Sequence, residues 1–229
     1  MNRVLLQSML QARAERTAVA LVTDLGSGAQ RLVARNDADR DPLSETLERR
    51  FRFDESGVDS VDGREFFVLV QNPPLRLVVI GAVHIAQVLV PMVRAVPYDV
   101  TIVDPRGSFA TADRFPGTNL VADWPDEALP LLGLDQRTAV LLLTHDPKID
   151  DPALIAALKS DCFYIGALGS RKTHARRLER LEAAGLRDVG ERRIHAPIGL
   201  DIGARGAPEI AIAIVAEMTK VLRLGSEKK

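Results

Sequence analysis

The chain has 229 residues, 46% of them hydrophobic and 27% charged, which is typical of a globular protein. A net charge of -1 and only 4% aromatic residues argue against a general nucleic-acid binder. A single cysteine excludes an internal disulfide framework, and no apolar run reaches the roughly 18 residues of a membrane span. The first residues make a poor signal peptide, so we expect a cytoplasmic protein.

Residues 1–72 predict a small α+β domain. Helical spacing of apolar residues predicts a helix over 4–14, and 42–52, within a polar and acid-rich stretch, is a second, short helix candidate. Short β-like runs predict three strands, over 17–23, 31–35 and 64–70, the first two forming a hairpin around Gly26-Ser27-Gly28. Asn72-Pro73-Pro74 then interrupts the pattern, because two prolines cannot lie in a central strand. We therefore expect a domain boundary there.

Residues 73–229 alternate between strands and helices. The predicted strands are continuous apolar runs at 75–80, 99–103, 119–121, 139–143 and 162–165. The predicted helices cover 84–95, 151–159 (with Asp151 as N-cap), 171–184 and 208–224. Such a pattern indicates a Rossmann-like, doubly wound α/β domain with a parallel sheet covered on both faces. The last helix is apolar most of the way round, which suits a core helix or a homodimer interface.

The turn after the first of these strands resembles a dinucleotide-binding fingerprint. Gly81 fits the tight turn, Ala86 fits the third glycine position, and Asp104 follows 23 residues later, where an acid meets a ribose. Val83 occupies the middle position, where a side chain obstructs a pyrophosphate. The turn therefore supports the topology and weakens the prediction of NAD binding. His84, beside it, is equally consistent with a structural and a functional role.

Two further turns contain groups suited to ligand binding. His145 and Asp146 follow the fourth strand, where they would hold a metal, share a proton, orient a cofactor or cap the loop. Gly169-Ser170-Arg171 lead from the fifth strand into a helix, which is typical of an anion site or of a glycine-shaped turn.

The segment from Pro197 to Ala204 places Asp201 between two glycines, before a helix that starts near Glu209. Asp201 is thus a candidate for the same crevice, whereas Glu209 is expected to complement the helix dipole. Cys162 lies inside a predicted buried strand, and we expect it to serve core packing.

Five segments together resemble the XdhC/CoxI family, accessory proteins for the maturation of xanthine dehydrogenase and aerobic CO dehydrogenase. In chain order they are Gly81–His84, Val103–Asp104, Thr144–Asp150, Tyr164–Arg171 and Ile198–Ala204. The resemblance implies a molybdenum-cofactor chaperone more than an enzyme, and such a chaperone binds the cofactor transiently. It would work with a cysteine desulfurase and deliver the cofactor to an apo-form molybdenum hydroxylase.

Under this reading the cofactor-binding residues are Gly81, His84, Asp104, His145, Asp146, Gly169, Ser170, Arg171 and Asp201. The pterin phosphate would lie near Gly169–Arg171. Two departures from the family stand out. Val83 replaces the usual glycine, and residues 1–72 lack the Gly-Gly-Cys segment of the usual N-terminal domain, so this front part is shortened and divergent.

The residues alone are also consistent with two other functions. The Rossmann pattern and Asp104 suit an NAD-dependent oxidoreductase, and Val83 with the short front suits an inactive binding module. Binding of a metal is also open, since His84, His145, Asp146 and Asp201 are suitable ligand types whose spacing does not show that they converge.

Overall fold

The computed structural model describes residues 3–225, and the chain divides between Pro73 and Pro74 into two compact units. The first unit contains an antiparallel four-stranded sheet in the order β2-β1-β4-β3. Its elements are α1 (Arg3–Ala14), β1 (Val19–Asp24), β2 (Gln30–Ala34), α2 (Ser44–Phe53), β3 (Gly57–Val61) and β4 (Arg64–Gln71).

A small apolar core holds this first unit together. Leu47 and Phe51 of α2 are fully buried with Ala20, Val22 and Val68 of the sheet. The predicted hairpin, strands and helices of this unit are confirmed. Strand β3 was not predicted, because it lies at the edge of the sheet with alternate side chains exposed and its sequence is polar.

The second unit is built on a six-stranded parallel sheet in the order β7-β6-β5-β8-β9-β10. Its strands are β5 (Leu75–Ile80), β6 (Tyr98–Val103), β7 (Asn119–Val121), β8 (Thr138–Leu142), β9 (Tyr164–Ala167) and β10 (Ile194–His195). Its helices are α3 (His84–Ala95), α4 (Pro125–Leu132), α5 (Pro147–Leu158), α6 (Arg171–Glu182), α7 (Arg187–Arg193) and α8 (Ala207–Leu224). This is the strand order of two mononucleotide-binding halves, so the predicted Rossmann-like α/β fold is confirmed.

Two apolar layers cover the sheet. On one face, Leu89 and Val93 of α3 share a cluster with Ile214 and Met218 of α8. On the other face, α5 supplies most of the layer, including Leu154. Burial on both faces explains why these strands have continuous apolar sequences.

The structure corrects two predicted boundaries. Helix α5 begins at Pro147 with Asp146 as its N-cap, so Asp151 lies inside the helix. The fifth strand of the unit begins at Tyr164, so Cys162 precedes it, although the thiol is buried as expected. Pro147 occupies the first position of α5, where a missing amide hydrogen costs little, whereas Pro152 lies inside the helix and removes one intrahelical hydrogen bond.

Elements α4, α7 and β10 were not predicted. Helix α4 contains two prolines, and α7 follows α6 after a break at Gly185, which adopts a positive φ of 67°. Helix α8 buries one side and leaves Ile212 53% exposed, so the homodimer stays a prediction. Within residues 3–225, no helix combines the length and the apolar character needed to cross a membrane.

The buried centre of the parallel sheet leads to a stability prediction. Leu141→Ala, in β8 at 0% exposure, should lower the free energy of unfolding by about 2–5 kcal/mol, because it leaves a cavity. Leu131→Ala, at 86% exposure on α4, is the matched control and should change it by less than about 0.5 kcal/mol. Urea denaturation followed by circular dichroism measures both, and equal effects would contradict the assignment of the core.

Candidate functional site

The first group of candidate residues lies where the strand order reverses, between β5 and β8. At this point the following turns diverge and leave a crevice in proteins of this topology. Gly81 has a φ of 106°, and a Cβ built on it would come within 2.5 Å of Cγ2 of Thr144, after β8. A glycine is needed here because the two turns are in contact directly after the strands.

Asp104 holds the Gly81 turn in place. Its buried carboxylate accepts hydrogen bonds from the backbone amides of Ala82 (2.8 Å) and Arg106 (3.0 Å) and from the Arg106 guanidinium (2.9 Å for each of two nitrogens). Burial raises the pKa of Asp104, but the Arg106 guanidinium and the two amides outweigh it and keep the pKa below its usual value. These donors occupy the carboxylate, and the predicted ribose contact stays a prediction.

The residues that follow Gly81 have different environments. Val83, the N-cap of α3, packs its side chain against the apolar layer beneath that helix. His84, the first residue of α3, is exposed. The valine is thus accommodated by the core, while the histidine is accessible to a ligand.

A buried polar group lies below the β8 turn. The Thr144 hydroxyl donates to the Asp150 carboxylate, and the Arg177 guanidinium lies 3.9 Å from the same carboxylate. Arg177 also donates to the carbonyl of Leu168 (3.0 Å), which ties the β9 turn to this group. Burial raises the pKa of Asp150, although Thr144 and Arg177 act in the opposite direction.

The exposed ends of these turns are partly occupied by helix caps. Asp146 accepts from the amide of Lys148 (3.0 Å) and so caps α5, which is one of the roles expected of it, whereas His145 is exposed. Ser170 accepts from the amide of Thr173 (3.2 Å) and caps α6. Glu209 accepts from the amides of Arg205 and Gly206 at the start of α8.

The second group of residues lies at the edge of the sheet, beyond β10. A cleft of about 360 Å³ opens there and brings together two predicted residues, Arg171 and Asp201. Five further ionisable residues on its walls were not predicted: His174, Glu191, His195, Glu217 and Lys220. We call this the edge cleft.

Glu217 organises one wall of the edge cleft. Its carboxylate accepts a hydrogen bond from the Tyr164 hydroxyl and another from the amide of Gly199 (2.8 Å), and it lies 3.3 Å from Nδ1 of His195. The rings of Tyr164 and His195 are stacked with their centres 4.6 Å apart. The histidine ring is thus held on one side by a carboxylate and on one face by a tyrosine.

The protonation states in this wall follow from its contacts. Burial raises the pKa of Glu217, but His195, Tyr164 and the Gly199 amide together hold it below its usual value. Burial, with the neighbouring Glu217 charge, raises the pKa of Tyr164 well above its usual value, so its hydroxyl stays a donor. A carboxylate beside Nδ1 favours the tautomer with the proton on Nδ1, leaving Nε2 as an acceptor.

One feature of the sequence indicates this wall of the edge cleft. Glu217 is an acidic residue within a helix that is otherwise apolar on its buried side, and such a carboxylate requires donors. The donors come from β9 and from the segment after β10, so neither was identifiable by spacing. Within residues 3–225, no three histidine, cysteine, aspartate or glutamate residues cluster as metal ligands.

Comparison with known proteins identifies the family. The family described as the XdhC Rossmann domain matches residues 77–218. The chain belongs to the XdhC family. The resemblance carried by the five segments is therefore confirmed.

Two curated relatives of this XdhC protein match with moderate identity. It is 33% identical over 157 residues to the molybdenum cofactor insertion chaperone PaoD of Escherichia coli (strain K12), covering 69% of this chain and 43% of PaoD. It is 29% identical over 153 residues to a protein of Bacillus subtilis (strain 168) named as a probable xanthine dehydrogenase component, covering 66% of this chain and 44% of that protein. The chain spans less than half the length of these relatives.

A solved structure shares the fold. The crystal structure of a xanthine dehydrogenase from Bacillus halodurans superposes with a TM-score of 0.67 and 22% identity, covering 98% of this chain and 66% of that one.

Replacing Asp104 tests its role in the Gly81 turn. Asp104→Asn should lower the free energy of unfolding by about 2–3 kcal/mol at pH 7, because three charged or amide donors lose an ionised acceptor. The folded-state pKa lies below the unfolded one, so the loss should be full above about pH 4 and shrink as the pH falls further. Denaturation of Asp104→Asn and of the exposed Asp99→Asn at pH 7 and pH 3 checks this. A penalty that does not shrink at pH 3 would contradict it.

The tautomer of His195 is a second prediction. In ¹⁵N NMR spectra of neutral His195, Nδ1 should carry the proton, because Glu217 accepts from it. Glu217→Gln should weaken this preference, while His84, which is exposed, serves as the reference. A proton mainly on Nε2 in the native protein would contradict the geometry.

Proposed function

We propose that this XdhC protein binds molybdenum cofactor and assists its maturation and insertion into a molybdenum hydroxylase of the xanthine dehydrogenase or CO dehydrogenase type. The observation that carries the proposal is its similarity, within the Rossmann domain, to a protein named as a molybdenum cofactor insertion chaperone. The cofactor is the cargo of such a protein, and the cytoplasm is the expected place of transfer.

The predicted cofactor-binding residues divide by what their side chains contact. Gly81, Asp104, Asp146, Gly169 and Ser170 shape the turns through close packing or internal hydrogen bonds. His84, His145, Arg171 and Asp201 are exposed and have side chains available for a ligand. In this proposal the first set positions the second.

Each exposed side chain has a chemical task in holding the cofactor. Arg171 lies at the N-terminus of α6, where the helix dipole adds to its charge, and this favours the pterin phosphate. His84 and His145 follow the two strands at the reversal point, and imidazole nitrogens there suit the pterin or the metal end. Asp201 accepts hydrogen bonds from N–H groups of the pterin.

Sulfuration of the cofactor is assigned to a partner, a cysteine desulfurase. The only cysteine, Cys162, is buried, and burial raises the pKa of its thiol, so little reactive thiolate forms. The chain itself would then bind, shield and release the cofactor.

An NAD-dependent oxidoreductase fits the site less well. Val83 occupies the place of the glycine that approaches a pyrophosphate, and the Asp104 carboxylate is occupied by Arg106 and two amides. An inactive binding module is distinguished from a chaperone by reconstitution of the partner enzyme.

Reconstitution of an apo-hydroxylase tests the proposal. Protein mixed anaerobically with molybdenum cofactor should bind it and restore activity to the apo-enzyme. His145→Ala and Asp201→Ala should each weaken cofactor binding about tenfold, because each removes a polar contact. Asp123→Ala, which is also exposed, is the control and should have no effect.

Three outcomes are informative. If the native protein neither binds the cofactor nor restores activity, the chaperone proposal is wrong. If it restores activity and both variants match it, the cofactor lies elsewhere on the chain. If it associates with the apo-enzyme but restores no activity, the inactive module with a partner surface is favoured.

A further inference from the structure

The edge cleft contains groups that the proposed function leaves unused. Its volume of about 360 Å³ is at the lower end of the roughly 300–1,000 Å³ of small-molecule sites. Arg171 and Lys220 lie on its walls, and neither forms an ion pair with any residue that the structure describes. Two free cations in a cleft of this size favour a small anion.

His195 gives the cleft a fixed hydrogen-bond acceptor. Its side chain is 10% exposed, and Glu217 engages Nδ1 on one side of the ring. Nε2, on the other side, has no hydrogen-bond partner among residues 3–225. A nine-tenths buried ring that lines a cleft with an unpartnered nitrogen indicates a ligand that donates a hydrogen bond.

Carboxylates on the same walls further restrict the class of ligand that the cleft can bind. Asp201 and Glu191 line the cleft together with Glu217, so its carboxylates outnumber Arg171 and Lys220. Ionised carboxylates accept hydrogen bonds and repel an anion that has no proton. The ligand therefore needs a negative charge for the cations and an O–H for the acceptors.

We propose that the edge cleft binds a phosphate group, with Arg171 and Lys220 neutralising its charge and Nε2 of His195 accepting its P–O–H proton. Inorganic phosphate carries both negative charge and at least one P–O–H near neutral pH, whereas a phosphate monoester, with a second pKa of about 6, has mostly lost its proton there. Sulfate has nearly the same shape and carries no proton there. The ligand is therefore free phosphate, because a monoester retains the required proton only below about pH 6.

Calorimetric titration with inorganic phosphate and with sulfate at pH 7 tests the proposal. Phosphate should bind at least about tenfold more tightly than sulfate, because one charged hydrogen bond distinguishes the two anions. Phenyl phosphate, which is mostly deprotonated at pH 7, should bind about as weakly as sulfate there, and phenyl phosphate binding more tightly than inorganic phosphate overturns the role of the P–O–H proton. Equal binding of sulfate and phosphate, or no binding of either, overturns the proposal.

Variants assign the effect to the named residues. Lys220→Met should weaken both anions about tenfold, whereas Arg176→Gln, on α6 but outside the cleft, should change neither. His195→Phe retains an aromatic ring against Tyr164 and should reduce the affinity for phosphate to that for sulfate. A preference for phosphate that survives in a folded His195→Phe protein overturns the role of Nε2. Arg171 also serves the proposed cofactor role, but these probes contain no cofactor, so the two proposals fail separately.

Discussion

The parallel sheet of the second unit must be covered by apolar side chains on both faces, and the rest of the structure depends on this requirement. Helices α3 and α8 cover one face and α5 covers most of the other, so polar groups are confined to the ends of the strands. The ionisable residues of the candidate site follow strands or line the edge cleft for this reason. The fold thus restricts where ligand-binding and reactive groups can lie, whatever the individual side chains are.

Three buried or half-buried carboxylates determine which polar groups near the candidate site stay available to a ligand. Asp104 accepts hydrogen bonds from the Gly81 turn and from Arg106, and Asp150 accepts one from Thr144. Glu217 accepts hydrogen bonds from Tyr164 and Gly199 and lies beside His195. A carboxylate removed from water needs hydrogen-bond donors or a nearby cation, and these contacts fix the adjoining loops. What a ligand meets is therefore the set of side chains left over, chiefly histidines and cations.

Much of the fold could be predicted from the sequence because it follows local rules. Continuous apolar runs identified the parallel strands, and Gly81 and Gly169 marked turns that do require positive φ. The candidate site was only partly predictable. Asp104 has the spacing of a ribose ligand, yet Arg106, two residues later, occupies it. The Tyr164–Glu217 hydrogen bond joins residues 53 positions apart, and only tertiary packing creates it.

The corner that precedes β9 has a consequence for how the second unit can be observed. The guanidinium of Arg193 donates to the carbonyls of Leu158, Ser160 and Cys162, each at 2.8 Å, and closes this corner over the thiol. A modifying reagent must wait for the corner to open before it reaches the sulfur. The labelling rate of this one natural thiol therefore reports the opening equilibrium of the corner, without any introduced probe.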